Sequence, residues 1–186
     1  MLYTLIKYGF KPQLALLDSN STKNRLEKIV GYIKESQYGI HDLSRIKSSE
    51  IGEYSRLNMP FELGIDYGYM LAKNNNEKKL LVIGAEKHEY KIALSDFSGF
   101  DIKYHFNKPI EIIDCIRSWL LENSIISTMK ASIEIFDDYN TFNSTLFSDI
   151  NLKYKQKNAF KKAIKMAKDE INRMTVAEYI SKIKKH

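Results

Sequence analysis

The 186-residue chain holds one cysteine, three prolines and eight glycines. Cys115 therefore has no partner for an internal disulfide, and neither the cysteine count nor the histidine and glutamate spacing supports a zinc site. Set among Ile112, Ile113, Ile116 and Trp119 at helical spacing, it reads as a small core residue in a reducing cytoplasm. No run of about 18 apolar residues occurs, so no membrane span is expected. The start lacks the basic region, apolar stretch and small-residue cleavage site of a secretory leader, so export is not expected either. Gly39, Gly52, Gly64 and Gly68 fit neither common glycine-rich phosphate loop, and the Gly-x-Ser-x-Gly elbow of serine hydrolases is absent. Fixed-period repeats and low-complexity tracts are absent too.

What is present is an ordinary globular composition, 44% apolar and 28% charged, long enough for a full core plus a helical appendage. The charge is uneven. Residues 1–150 carry 18 Lys and Arg against 20 Asp and Glu, whereas residues 151–186 carry 11 against 3. The net charge of +6 thus belongs to the last fifth of the chain. Lys161, Lys162, Lys165 and Lys168 interleave with Phe160, Ala163, Ile164 and Ala167, which reads as the solvated face of an amphipathic helix rather than a nucleic-acid surface.

Along residues 1–123 the patterns alternate. A helix tail ends at Gly9, a short apolar run of strand length spans 12–17 as the first strand, and helical spacing governs Leu26, Ile29, Val30 and Ile33. A strand over 38–44, a helix from Asn58 to about Lys73 and an unbroken apolar strand over 79–84 follow. A short helix over 88–94, a strand over 102–106 and a helix opened by Pro109 complete the series. Such alternation implies a flavodoxin-like α/β domain, a parallel sheet with helices on both faces. Residues 124–186 show only helical spacing: one or two helices over 133–147, a basic helix over 154–171 and a last one capped by Thr175. They read as a basic C-terminal helical subdomain.

The chain is organised around residues 55–64. Asn58 suits a helix N-cap and Pro60 the first turn. Glu62 then falls in that first turn, where the helix dipole favours its ionised form. An ordinary charge-complementing residue is the plain alternative. In a parallel sheet, however, ligands bind beyond the carboxyl ends of the strands. Asp18 and Ser19 follow the first run, His41, Asp42, Ser44 and Arg45 end the second strand, and Asn58 and Glu62 open the next helix, so all fall on one rim, with Phe61 next to Glu62 as a further substrate-binding candidate. Asp42 and Ser44 share a strand face, whereas His41 points the other way and reads as a core histidine bonded to backbone. A carboxylate flanked by Tyr, Phe and Arg, without a metal or a phosphate loop, suits N-glycosidic cleavage through an oxocarbenium-like ribosyl cation. Aromatic rings would stack on the base, and Arg45 or Arg56 would hold a phosphate.

The runs 38–45 (Tyr-Gly-Ile-His-Asp-Leu-Ser-Arg), 56–64 (Arg-Leu-Asn-Met-Pro-Phe-Glu-Leu-Gly), and Glu89-Tyr90 followed by 95–102 (Ser-Asp-Phe-Ser-Gly-Phe-Asp-Ile) resemble a group of uncharacterised bacterial proteins. That group is similar to the class holding Toll/interleukin-1 receptor-like (TIR-like) domains and nucleoside 2-deoxyribosyltransferases. The resemblance covers roughly residues 5–121. In the transferases a Glu-Leu-Gly opens a helix and its Glu is the nucleophile, which corresponds to Glu62-Leu63-Gly64. TIR-like enzymes use one helix-borne Glu to cleave the nicotinamide–ribose bond of NAD, and in bacteria they serve antiphage defence by depleting NAD or making a cyclic nucleotide signal. The resemblance thus implies a catalytic Glu62, with Asp42 and Asn58 orienting ribose and Asp18 and Arg45 contacting ligand. The group has a further first strand and most of a helix ahead of the position of Met1; the sheet edge left without them invites pairing with a second copy.

The leading expectation is a cytoplasmic enzyme that cleaves or transfers the ribosyl group of NAD or a related nucleotide. It needs no metal and no cofactor beyond that substrate, and it acts as a homo-oligomer or with a defence partner protein. A nucleotide-sensing or partner-binding module without turnover is the second reading, and nucleic-acid binding through residues 151–186 the last.

Overall fold

The computed structural model describes residues 1–18, 22, 24–46, 57–92, 94–97, 99–157 and 159–186. In chain order the elements are α1 (Leu2–Lys7), α2 (Arg25–Glu35), β1 (Tyr38–Asp42), α3 (Asn58–Ala72), β2 (Lys79–Gly84), β3 (Lys103–Tyr104), α4 (Pro109–Glu122), α5 (Ser132–Lys155), α6 (Phe160–Arg173) and α7 (Val176–Lys185). They fall into two units, Gln13–Ser132 and Met1–Pro12 with Ile133–His186.

In the first unit the sheet runs β1-β2-β3, all parallel, with Tyr38 opposite Lys79 and Ile83 opposite Lys103. β2 is central, so both its faces are covered: Leu81, Val82 and Ile83 are all buried. Alternation along β1 sends neighbouring side chains to opposite faces. Gly39 and His41 meet Asp66 of α3, while the Tyr38 ring lies 6.0 Å from Trp119 of α4. Helices therefore cover both faces, as in a flavodoxin-like α/β fold. Leu43, Ile46, Leu63, Val82, Tyr90 and Ile102 form one core cluster beneath α3 and the strand ends. Complete burial of a side chain such as Leu63 contributes about 1.5–3 kcal/mol. Cys115 is buried as expected, and burial pushes its thiol up to about 11, out of reactive range.

Four local expectations need correction. Residues 12–17 form a loop rather than a strand: Leu17 N–H donates to the Leu14 carbonyl, closing a turn, and Leu16 stays exposed. In place of the short helix expected over 88–94, the described residues form the 3₁₀ turn Glu89–Ile92, with a second at Ser95–Phe97. β3 is only two residues long. The basic helix starts at Phe160, because α5 continues through Tyr154 to Lys155.

In the second unit, Ile135, Phe142, Leu146 and Ile150 recur at helical spacing as the buried stripe of α5. Tyr3 of α1 packs its ring 5.4 Å from Phe142 and 5.5 Å from Tyr139, and Phe142 lies 5.6 Å from Tyr179 of α7. α1 closes with Gly9 at φ +84°, a left-handed position open to glycine at little cost. Thr175 and Glu178 form a reciprocal capping box that starts α7. On α6, Ala163 and Ala167 are buried while Lys161, Lys162, Lys165 and Lys168 are exposed, the solvated face expected from spacing.

Candidate functional site

α3 is the helix on which the site depends. Its N-cap is Leu57 rather than Asn58, which is already helical and makes no capping bond, so Glu62 lies in the second turn and not the first. The dipole is weaker there, and the carboxyl moves opposite to expectation. Burial pushes the Glu62 pKa above its ordinary value, with the positive charges of Arg25 and His41 opposing that rise. Glu62 is half-buried, and no hydrogen bond or ion pair holds it among the described residues.

One turn further along, Asp66 fixes the helix from below. It is 2% exposed and accepts from His41 Nε2 at 3.0 Å. Its other oxygen lies 3.1 Å from Lys78 Nζ, whose protons point at the Ile33 and Ser36 carbonyls at 2.8 and 2.6 Å. The buried ammonium thus ties the C-terminal end of α2 to α3. A Cβ at position 39 would stand 2.4 Å from Asp66 Oδ2, so any other residue there has to displace the buried carboxylate. His41 is the core histidine expected, but its partner is this carboxylate and not backbone.

Two cavities flank Glu62. One, of about 560 Å³, lies at the ends of β1 and β3 and is lined by Asp42, Ser44, Arg45, Asn58, Glu62 and His105, with Arg25 and Met59 on its wall. The other, of about 310 Å³, lies between α2 and β1, where Tyr32, Tyr38, Ile29 and Leu14 give it a more apolar lining. Glu62, Arg25 and Met59 belong to both, so the carboxylate stands where the cavities meet. Volumes of this order suit a small ligand.

The structure brings Asp42, Ser44, Arg45, Asn58 and Glu62 to one cavity. Phe61 lies apart: it is 57% exposed and lines neither cavity, because adjacent helix residues point about 100° apart. Asp18 lines neither as well and instead pairs with Lys28, its Oδ1 3.4 Å from Nζ. Ser19 and Arg56 are outside the described residues. Sequence reasoning missed Arg25 and His105. Both were within reach of the strand-end rule, since His105 follows β3 directly and Arg25 opens the helix on the same rim.

Ser44 is not set up as a nucleophile. Its hydroxyl donates to Asp42 Oδ1, and its other side-chain neighbour, His105 Nε2 at 2.7 Å, acts as a donor. No cluster of three or more metal-ligating side chains occurs among the described residues. The groups that remain for chemistry are an unpartnered, partly desolvated carboxylate, a second carboxylate and two guanidinium groups around one cavity. Compared with protein-family models, curated proteins and solved structures, the chain matches none.

Proposed function

We propose that this protein cleaves the N-glycosidic bond of NAD or a related nucleotide, using the Glu62 carboxylate. The bond between C1′ and the base nitrogen breaks, the electron pair leaves with the base, and Glu62 stabilises the ribosyl cation or captures it as an ester. Water then adds to C1′ and releases a proton. The observation that carries this reading is Glu62 itself, half-buried and unpartnered at the junction of two cavities. A carboxylate with no structural bond, kept despite its desolvation, is a group available for work on a ligand.

The lining divides the substrate. Asp42 and Asn58 suit the sugar, Arg25 and Arg45 its phosphates, and the apolar lobe with Tyr32 and Tyr38 the departing base. The resemblance noted above supplies the context, an antiphage defence effector or signal-producing enzyme in the cytoplasm, acting with further copies or a partner protein. Among the described residues no helix is long and apolar enough to cross a membrane.

Incubation with NAD, other nucleotides and deoxynucleosides, with chromatographic detection of free base, tests the reading. Release of nicotinamide from NAD is expected. Saturable binding with no base released from any member of the panel would overturn cleavage and leave a sensing module.

A further inference from the structure

The ends of β1 and β3 bring together three side chains whose hydrogen bonds have one direction. His105 is 3% exposed, and its Nδ1 lies 3.2 Å from the backbone N of Asn107. An amide N–H can only donate, so Nδ1 is the acceptor and the ring proton sits on Nε2. Nε2 is 2.7 Å from Ser44 Oγ, so the hydroxyl accepts from the ring and its own proton goes to Asp42 Oδ1. The same oxygen takes the Ser44 backbone N–H at 2.9 Å. Every donor in the series points toward Asp42, an arrangement in which successive bonds polarise one another.

The series ends at the cavity. Asp42 Oδ1 is taken by two Ser44 donors, while Oδ2 has no partner among the described residues on a side chain that is 40% exposed and lines the same cavity as Glu62. A carboxylate oxygen so placed offers lone pairs only, and its complement is a hydroxyl. If C1′ is to reach Glu62, the sugar hydroxyl next to it, on C2′, is the one closest to the reacting centre.

We propose that His105 is a positioning residue which, through Ser44, holds Asp42 to accept the 2′-hydroxyl, so that the site selects ribosyl over 2-deoxyribosyl substrates. This deepens the N-glycosidic reading and rests on it. Losing a hydrogen bond to a charged acceptor corresponds to about 10- to 100-fold in affinity or kcat/KM.

Calorimetric titration with ribose 5-phosphate and 2-deoxyribose 5-phosphate tests this without turnover, on the full chain and on His105→Phe and His105→Gln. The wild type should favour the ribosyl sugar by about 10-fold or more. His105→Phe should erase the preference, and His105→Gln, whose amide nitrogen replaces the Nε2 donor, should restore it, which a merely structural role would not do. Nitrogen-15 NMR of the imidazoles should show His105 as the Nε2–H tautomer, a readout independent of whether either variant folds. Equal affinities in the wild type, or an Nδ1–H or doubly protonated His105 at neutral pH, would overturn the proposal. Ribosyl preference without base release removes cleavage and leaves the positioning role; base release without preference does the reverse.

Discussion

Replacing Lys78 by methionine keeps most of the stem's volume and removes its charge. In the native chain that ammonium is 3% exposed, lies 3.1 Å from Asp66 and donates to two carbonyls of the α2 terminus. Without it, Asp66 stays buried with its hydrogen bond from His41 but with no ammonium beside its other oxygen. Breaking a buried pair in this way costs about 3–5 kcal/mol, and each carbonyl that loses its donor adds about 1 kcal/mol less whatever water restores. A loss of about 4 kcal/mol is a large part of the 5–15 kcal/mol typical of a domain. Trp119, the only tryptophan, is buried on α4 in the α/β unit, so its fluorescence in urea reports the unfolding of this unit. The midpoint should fall sharply with an unchanged slope. Adding Asp66→Leu should recover part of the loss, because two apolar side chains tolerate burial where one charge does not. A Lys78→Met variant within about 1 kcal/mol of wild type would refute the reasoning, since the ion pair would then carry no net weight.

Gly39→Ala should lose about 1–3 kcal/mol by the same assay, because the new methyl meets Asp66 Oδ2 at 2.4 Å and Leu80 Cδ2 at 2.7 Å; an unchanged midpoint would mean α3 can shift freely. Glu62 acts ionised and its pKa is raised by burial, so base release should fall with acid through a midpoint above the ordinary 4.5, and Arg25→Ala should move that midpoint further up; a pH–rate profile reads both. Because the folded-state value lies above the unfolded one, the ionised Glu62 destabilises the fold above its folded-state value, and that cost fades as pH falls through it and is gone below the unfolded value of 4.5. Glu62→Gln should therefore keep or raise the thermal midpoint at neutral pH, and a clear fall would assign Glu62 a structural bond.

β2 is legible in sequence because a central parallel strand is apolar throughout, and the rim residues after β1 follow from that topology. Residues 12–17 misled for the opposite reason: a short apolar run is shared by buried strands and by loops such as this one, and length alone cannot separate them. The Glu62 neighbourhood was legible only in part. Its position after a helix start is local, but the cavities come from α2 and β3; the strand-end rule places Arg25 and His105 on that rim, while their convergence on one cavity comes from the tertiary packing. The buried Asp66 and Lys78 are still less visible, since a lysine before a strand reads as surface until the fold places it beneath two helices. Phe61 was assigned by adjacency to Glu62, where helical phase should have decided.

The most direct test compares nicotinamide release from NAD by the wild type and Glu62→Gln, with matched folding shown by Trp119 fluorescence. Removing the charge while keeping the side chain's shape should lower the rate by about 10²- to 10³-fold. Equal release by the two proteins would contradict the assignment of Glu62 as the group that meets the ribosyl cation.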